Sequence, residues 1–374
     1  MTGSVEAFEV RIDDAVLEDL SERLDGARMP EAFVLDGTED AERLAEVVRL
    51  IERWRKFDWR TVEERVNTVP QIRATVGNLT LHAVHVPGVG PDPLPLLLMN
   101  GWPSSFVEYL GVIGPLTDPA AHGGDPADAF SVVIPSMPGF GFSDRFLDRA
   151  LRWDQVPDSF AELMTGVLGY QRFVVHGDDF GGSIANALAG RTEGDVVAVQ
   201  TASWLEPRDP RNDAETAFVR DDERWNRDEG AYAHVQATRP QTLAFGLDDS
   251  PVGLAAWILD KWLSWSDPAT WDAMDLDLVL ANLTIYWATR TIASSCRMYA
   301  LVDWAGPGPT PVVPTTVLVP NEPRLAMPPD AWLERAYPNL ERVVRLERGG
   351  HFPAMEVPDR LVEEIRTTFR PHRG

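Results

Sequence analysis

The sequence predicts an α/β protein: a mostly parallel central sheet, covered by helices on both faces and interrupted by a helical insertion. Three observations predict it. Residues 94–99 (LPLLLM), 131–134 (SVVI) and 172–176 (RFVVH) are nearly continuous apolar runs, the composition of strands buried on both faces. Helical patterns lie among them, including Val156 to Leu168 just before RFVVH, and strands alternating with helices imply a parallel sheet. After residues 206–305, which read as helical, Trp-rich and without a convincing buried strand, the rhythm resumes with 314–319 (PTTVLV) and 342–346 (RVVRL).

Taken in order, residues 8–12 (FEVRI) alternate and predict a short strand. Asp13 or Asp14 then caps a helix with Leu17, Leu20 and Leu24 on one face, and Pro30 ends it. A second helix runs from about Asp40 to Phe57 and carries Leu44, Val47, Val48, Ile51 and Trp54. Pro70 to Val76 and Leu79 to Val86 read as strands joined by Gly77-Asn78, a weak hairpin signal because the favoured order is Asn-Gly. The buried strands follow, and a last helix covers Pro358 to Phe369 with its proline in the first turn.

Composition excludes several classes. The 374 residues are 44 % apolar, enough for a large core. The formal charge of −24 repels nucleic acid and anionic membrane. A single cysteine, Cys296, excludes an internal disulfide and argues against a Cys-based metal site, which points to a reducing cytoplasm. The N-terminus has neither a basic flank nor an apolar run, so no signal peptide or membrane anchor is expected. No window approaches the roughly 20 apolar residues of a membrane span, and the protein is expected to be soluble.

The sharpest local signal is His176-Gly177-Asp178-Asp179-Phe180-Gly181-Gly182, between a buried strand and the helix Ser183 to Leu188. Small-x-Asp-x-small at a strand-to-helix turn is the pattern of a nucleophile elbow, so tight that only small residues fit two positions either side of the nucleophile. Gly177 and Gly181 meet this for Asp179; for Asp178 those positions hold His176 and Phe180, both too large. A Gly-rich turn with a capping Asp is the ordinary alternative. A carboxylate needs no base to ionise it at neutral pH. It attacks an sp3 carbon and forms an alkyl ester, whose hydrolysis needs a water-activating base and oxyanion donors.

In elbow hydrolases the chain order is nucleophile, acid, histidine. His351, after the last predicted strand, fits that order, whereas the other six histidines fall in the tail, early strands, loops, insertion or elbow strand. Glu322 follows PTTVLV and is the chosen acid, to orient His351; Asp303 is the reserve, and a solvated loop Glu is the bland reading. The oxyanion donors are expected to be the backbone N–H groups of Phe180 and Trp102, the latter in Asn100-Gly101-Trp102-Pro103 after the first core strand.

With these motifs in place, the chain resembles the microsomal-type epoxide hydrolases of the α/β-hydrolase superfamily. The resemblance rests on FEVRIDDAVLEDLSERL, Trp54 and NTVPQIRATVGNLTLHAVHV near the N-terminus. In the core it rests on Gly101-Trp102-Pro103, Pro138-Gly139-Phe140-Gly141-Phe142-Ser143, the elbow and Arg348 to Phe352; further on, on residues 249–256 and Ile285-Tyr286-Trp287. It implies an α/β-hydrolase fold with an N-terminal wrapping extension over 1–90, core over 91–205 and 306–374, and a helical lid over 206–305. It implies two lid tyrosines that hold and protonate the epoxide oxygen, which fall on Tyr232 and Tyr299. Asn100 stands where the family usually has His, and Phe180 where it often has Trp.

The resulting expectation is hydrolysis of a small-molecule epoxide to a vicinal diol through an ester on Asp179, with no cofactor and no metal. Trp102, Pro103, Phe180 and Trp287 are expected to contact substrate. Trp257, Trp262 and Trp265 either line the site with Trp102 and Trp287 or form lid core; an aromatic lining suits a bulky or aryl epoxide. High Asp, Arg and Ala with few Lys resembles bacteria with GC-rich genomes. There, natural-product biosynthesis and turnover of foreign epoxides are equal alternatives. A homodimer is the default if the chain associates. The rivals are a haloalkane dehalogenase, which wants Trp at position 180, and a non-catalytic binding protein on the same fold.

Overall fold

The computed structural model describes residues 4–31, 39–146, 151–191, 194–205, 209–302, 308 and 310–373. The strands are β1 (Val5–Phe8), β2 (Gln71–Val76), β3 (Leu79–Val86), β4 (Leu94–Met99), β5 (Phe130–Pro135), β6 (Phe173–Gly177), β7 (Val196–Thr201), β8 (Thr315–Val319) and β9 (Leu340–Arg345). Among the described residues they form one sheet in the order β1-β2-β3-β5-β4-β6-β7-β8-β9. β2 pairs antiparallel with both β1 and β3, β3 is antiparallel to β5, and every pairing from β5 to β9 is parallel. This is the α/β-hydrolase fold, and β5 is buried at all six positions, as two-sided burial requires.

Three helices precede the core: α1 (Asp14–Asp25), α2 (Glu39–Trp54) and α3 (Trp59–Val66). Flanking the sheet are α4 (Leu110–Thr117), α5 (Gln155–Glu162) and α6 (Asp179–Ala189), then α13 (Asp330–Ala336), α14 (Pro353–Glu356) and α15 (Pro358–Phe369). Between β7 and β8 stand α7 (Asp213–Asp228), α8 (Ala231–Thr238), α9 (Pro240–Leu247), α10 (Pro251–Trp265), α11 (Leu276–Thr289) and α12 (Ile292–Met298). No helix among the described residues is long and apolar enough to cross a membrane.

Local sequence explains the limits of these elements. Ser250 Oγ accepts from the Gly253 N–H at 3.0 Å and Pro251 occupies the first turn, so α10 starts there. Every residue of α11 from Leu278 to Trp287 is buried, as an apolar helix without a polar face demands. That helix is clasped from the N-terminal side: Trp54 Nε1 of α2 donates to Thr284 Oγ1 at 2.9 Å, and Arg53 pairs with Asp277 at 2.7 Å.

Several boundaries differ from the sequence reading. The first strand is Val5–Phe8, not 8–12; Val10 and Ile12 are buried beyond the pairing with β2. Helix α1 stops at Asp25, with the Gly26 N–H bonded to Glu22 O and Leu24 O, five residues before Pro30. The Gly77-Asn78 turn does make the hairpin, with Gly77 at φ +60°, the sign a II′ turn needs at its first central residue. Strand β7 has no counterpart in the sequence reading; its VVAVQT run has a polar end, but Gln200 is buried because its amide donates to Thr368 Oγ1 at 2.7 Å. Helix α6 begins at Asp179 rather than Ser183.

Candidate active site

Four loops leave the C-terminal ends of parallel strands and converge where β4 has β5 on one side and β6 on the other. This is the switch point at which open α/β sheets form ligand sites. They carry Gly101 and Trp102 after β4, Asp179 after β6, Glu322 after β8 and His351 after β9.

The elbow is as tight as its glycines imply. Asp179 has φ +50°. A Cβ on Gly177 meets Gly181 O at 2.2 Å, and one on Gly181 meets Met99 O at 2.0 Å, both backbone contacts that no side chain tolerates. A Cβ on Gly101 meets Asp179 itself at 2.2 Å. Ser203 Oγ donates to Asp179 O at 2.7 Å, tying the strained residue to the end of β7.

The Asp179 carboxylate has two distinct oxygens. Oδ1 accepts from the Phe180 N–H at 2.7 Å and from the Trp102 N–H at 3.0 Å. Oδ2 lies 3.6 Å from His351 Nε2. The other ring nitrogen, Nδ1, is 2.7 Å from Glu322 Oε2. Asp179 and His351 keep 20 % and 18 % of their side-chain surface accessible, whereas Glu322 keeps 3 %. A water-sized molecule therefore reaches the first two and not the third.

Burial raises the Asp179 pKa above the usual carboxylate value, opposed by His351 and the two N–H donors. Glu322 is raised for the same reason, again opposed by His351. Burial alone would discharge His351, but Glu322, Asp179 and Glu108 outweigh it and push the imidazole up to about 9. The imidazole thus lies between two carboxyl groups that both favour its charged form.

Aromatic rings roof this triad. Tyr232 stacks on Trp102 with centroids 5.3 Å apart, and Tyr299 meets Phe180 edge-on at 4.8 Å. The two tyrosine rings are 5.8 Å apart and meet edge-on at 78°. Burial and the Asp179 charge raise the Tyr232 pKa far above that of free phenol; burial, Tyr232 and Asp179 do so for Tyr299.

Of the remaining sequence candidates, Pro103 accepts from Asn282 Nδ2 of α11 through its carbonyl at 2.7 Å, which ties the Trp102 turn to the helical segment. Asn100 turns its amide to Gly101 O at 2.9 Å. Trp287 lies under Arg23 of α1, 5.7 Å from its guanidinium, and the ring contacts above do not include it. Asp303, the reserve acid, lies outside the described residues.

Comparison with known proteins gives these positions a context. Residues 5–109 match the family model described as epoxide hydrolase N terminus, and residues 95–356 match that of the alpha/beta hydrolase fold. Over 98 % of its length, and 85 % of the relative's, the chain is 35 % identical to a Stigmatella aurantiaca protein named "Putative epoxide hydrolase". Over 97 % of its length, and 88 % of the relative's, it is 30 % identical to epoxide hydrolase 1 of Oryctolagus cuniculus. The chain belongs to the microsomal-type epoxide hydrolase family. Among solved structures, Aspergillus niger epoxide hydrolase superposes with a TM-score of 0.85 at 26 % identity, over 98 % of this chain and 96 % of that one. Juvenile hormone epoxide hydrolase of Bombyx mori gives 0.82 at 27 %, over 99 % and 94 %.

In this member of the epoxide hydrolases, three groups that sequence reading missed surround the site. Trp153 meets Phe180 at 5.4 Å, adding a ring from the segment before α5. Glu356 holds the histidine loop: Oε2 accepts from the N–H groups of Asp267 (2.7 Å) and Gly350 (2.8 Å) and from Thr270 Oγ1 (2.8 Å), and Oε1 from the Phe352 N–H (2.9 Å). Below the elbow, Tyr109 Oη lies 2.9 Å from Asp178 Oδ2, and burial with the Asp178 charge pushes neighbouring Glu108 up to about 8. Nothing in local spacing marks these residues, because each acts across the chain.

Proposed function

We propose that the chain converts an epoxide and water to a vicinal diol through a covalent hydroxyalkyl ester on Asp179, with a bulky or aryl epoxide as substrate. The observation that carries this reading is the division of labour at one carboxylate: Oδ1 is held by two backbone N–H groups while Oδ2 faces His351.

Oδ2 attacks one ring carbon. The carbon–oxygen bond of the strained ring breaks, and the leaving oxygen takes a proton from Tyr232 or Tyr299. His351, oriented by Glu322, then removes a proton from water, and the hydroxide adds to Cγ of Asp179. The negative charge develops on Oδ1, where the Trp102 and Phe180 N–H groups already point, as an oxyanion hole requires. Collapse releases the second alcohol oxygen. One water proton completes that hydroxyl and the other restores the tyrosine, so epoxide plus water balances the diol.

Ester formation removes the Asp179 charge, one of the groups that raise His351, so the imidazole releases its proton more readily when it must act as base. The rings of Trp102, Trp153, Phe180, Tyr232, Trp265 and Tyr299 support an aromatic or bulky apolar substituent beside the reacting carbons.

The test is mass spectrometry of His351→Gln mixed with aryl and alkyl epoxides. One epoxide mass on the peptide containing Asp179 is expected. In wild type, a single turnover in isotope-labelled water is expected to label Asp179 before the diol. Label entering the diol directly, with no adduct in the variant, overturns the covalent route.

A further inference from the structure

The sequence contains only two lysines, Lys56 and Lys261, beside 32 arginines. One of the two is buried. Lys261 on α10 is 8 % exposed, a placement lysine rarely takes without partners. Its Nζ lies 2.8 Å from Asp260 Oδ2, and Arg43 of α2 shares that carboxylate through Oδ1 at 3.2 Å. The same ammonium is 5.0 Å from the centroid of the Tyr232 ring and 5.9 Å from that of Trp265. Asp260 is half-exposed and is shared with Arg43, so Lys261 does not hold that carboxylate alone.

We propose that Lys261 is a positioning residue for ring opening: its ammonium, set over the Tyr232 ring, stabilises the negative charge that develops there as the hydroxyl gives its proton to the epoxide oxygen. The inference rests on the reading in which Tyr232 is such a donor. Burial and the nearby carboxylates of Asp179 and Glu322 make a phenolate costly at Tyr232. A cation at the ring opposes both effects, and its attraction to an aromatic face strengthens when water is excluded. No bond to Lys261 forms; the proton moves from Tyr232 Oη to the epoxide oxygen while the ring carbon–oxygen bond breaks and Asp179 Oδ2 bonds to carbon.

The experiment compares single-turnover alkylation of Asp179 in wild type, Lys261→Gln, Lys261→Met and Lys261→Arg. The substrates are terminal epoxides with none to three fluorines on the substituent carbon next to the ring. Fluorine makes the leaving alkoxide less basic and less dependent on a proton donor. In both neutral variants alkylation of the fluorine-free epoxide is expected to slow on the order of tenfold, with the loss shrinking across the series and substrate affinity little changed. Lys261→Arg is expected to recover most of the rate. Lys261→Gln can still donate to Asp260, so it separates charge from packing. An equal loss across the series, or no loss in a folded neutral variant, overturns the role of Lys261. Absence of any Asp179 adduct in wild type overturns instead the covalent reading on which it rests.

Discussion

The imidazole of His351 faces Oδ2 of Asp179 at 3.6 Å, while the other oxygen of the same carboxylate is held by the Trp102 and Phe180 N–H groups. The two oxygens of one side chain are thus distinct: one is held by backbone donors and the other is open toward the imidazole. The division comes from the backbone: φ +50° at Asp179 and the close approach of Gly101 turn the carboxylate edge-on to both donors.

The acid–imidazole pair sets a pH dependence. The His351 pKa is pushed up to about 9, and Glu322 is the largest influence raising it. Hydrolysis of the ester needs neutral imidazole, so its rate is expected to rise with pH through an apparent pKa below 9, the Asp179 charge having been removed by alkylation. Glu322→Gln is expected to move the His351 titration down and slow hydrolysis by about 10² to 10⁴-fold. Imidazole NMR titration with single-turnover kinetics checks both, and an unmoved titration contradicts the pairing. For stability the sign is opposite. A pKa raised on folding contributes stability that is full below the unfolded value of about 6.5 and lost as pH rises through about 9.

The paired tyrosines are expected to act on alkylation and not on hydrolysis. Tyr232→Phe or Tyr299→Phe should each slow adduct formation by about a hundredfold, and the double variant by more, with the ester hydrolysed at nearly the wild-type rate. Rapid-quench measurement of the two steps separates them. A hydrolysis defect alone would remove both residues from ring opening.

Gly181→Ala tests the elbow. Its Cβ would lie 2.0 Å from Met99 O, a backbone atom of the central strand, so the helix start must shift. A loss of at least about 1–3 kcal/mol is expected, together with loss of diol formation. Thermal unfolding and turnover measure it; a variant with wild-type melting and activity would mean that the elbow has room the geometry denies.

Glu356→Ala removes an acceptor shared by three backbone N–H groups and one hydroxyl. Unsatisfied buried donors cost about 1–3 kcal/mol each, and partial relaxation limits the expected loss to about 3 kcal/mol. Denaturant unfolding gives the value. Because Gly350 and Phe352 flank His351, turnover is expected to fall even where the variant is fully folded.

Much of this protein is written locally in its chain. Two-sided burial marks β4, β5, β6 and β8 as apolar runs, and the glycines at 177 and 181 mark the elbow because a Cβ at either meets backbone. Short-range sterics and hydrophobicity act between near neighbours, so a sequence displays them directly. Glu322 and His351 could be chosen by chain order, but their 2.7 Å contact depends on where β8 and β9 end side by side. Strand β7 escaped notice because the burial of Gln200 depends on Thr368, 168 positions away. Trp153, Glu356 and Lys261 likewise acquire their meaning from partners on other elements. What tertiary structure alone decided is which oxygen of Asp179 faces the His351 imidazole, which tyrosine carries a cation on its ring, and what anchors the histidine loop. Each is a contact between residues far apart in sequence, set by the packing of whole elements, and no local pattern encodes such a distance.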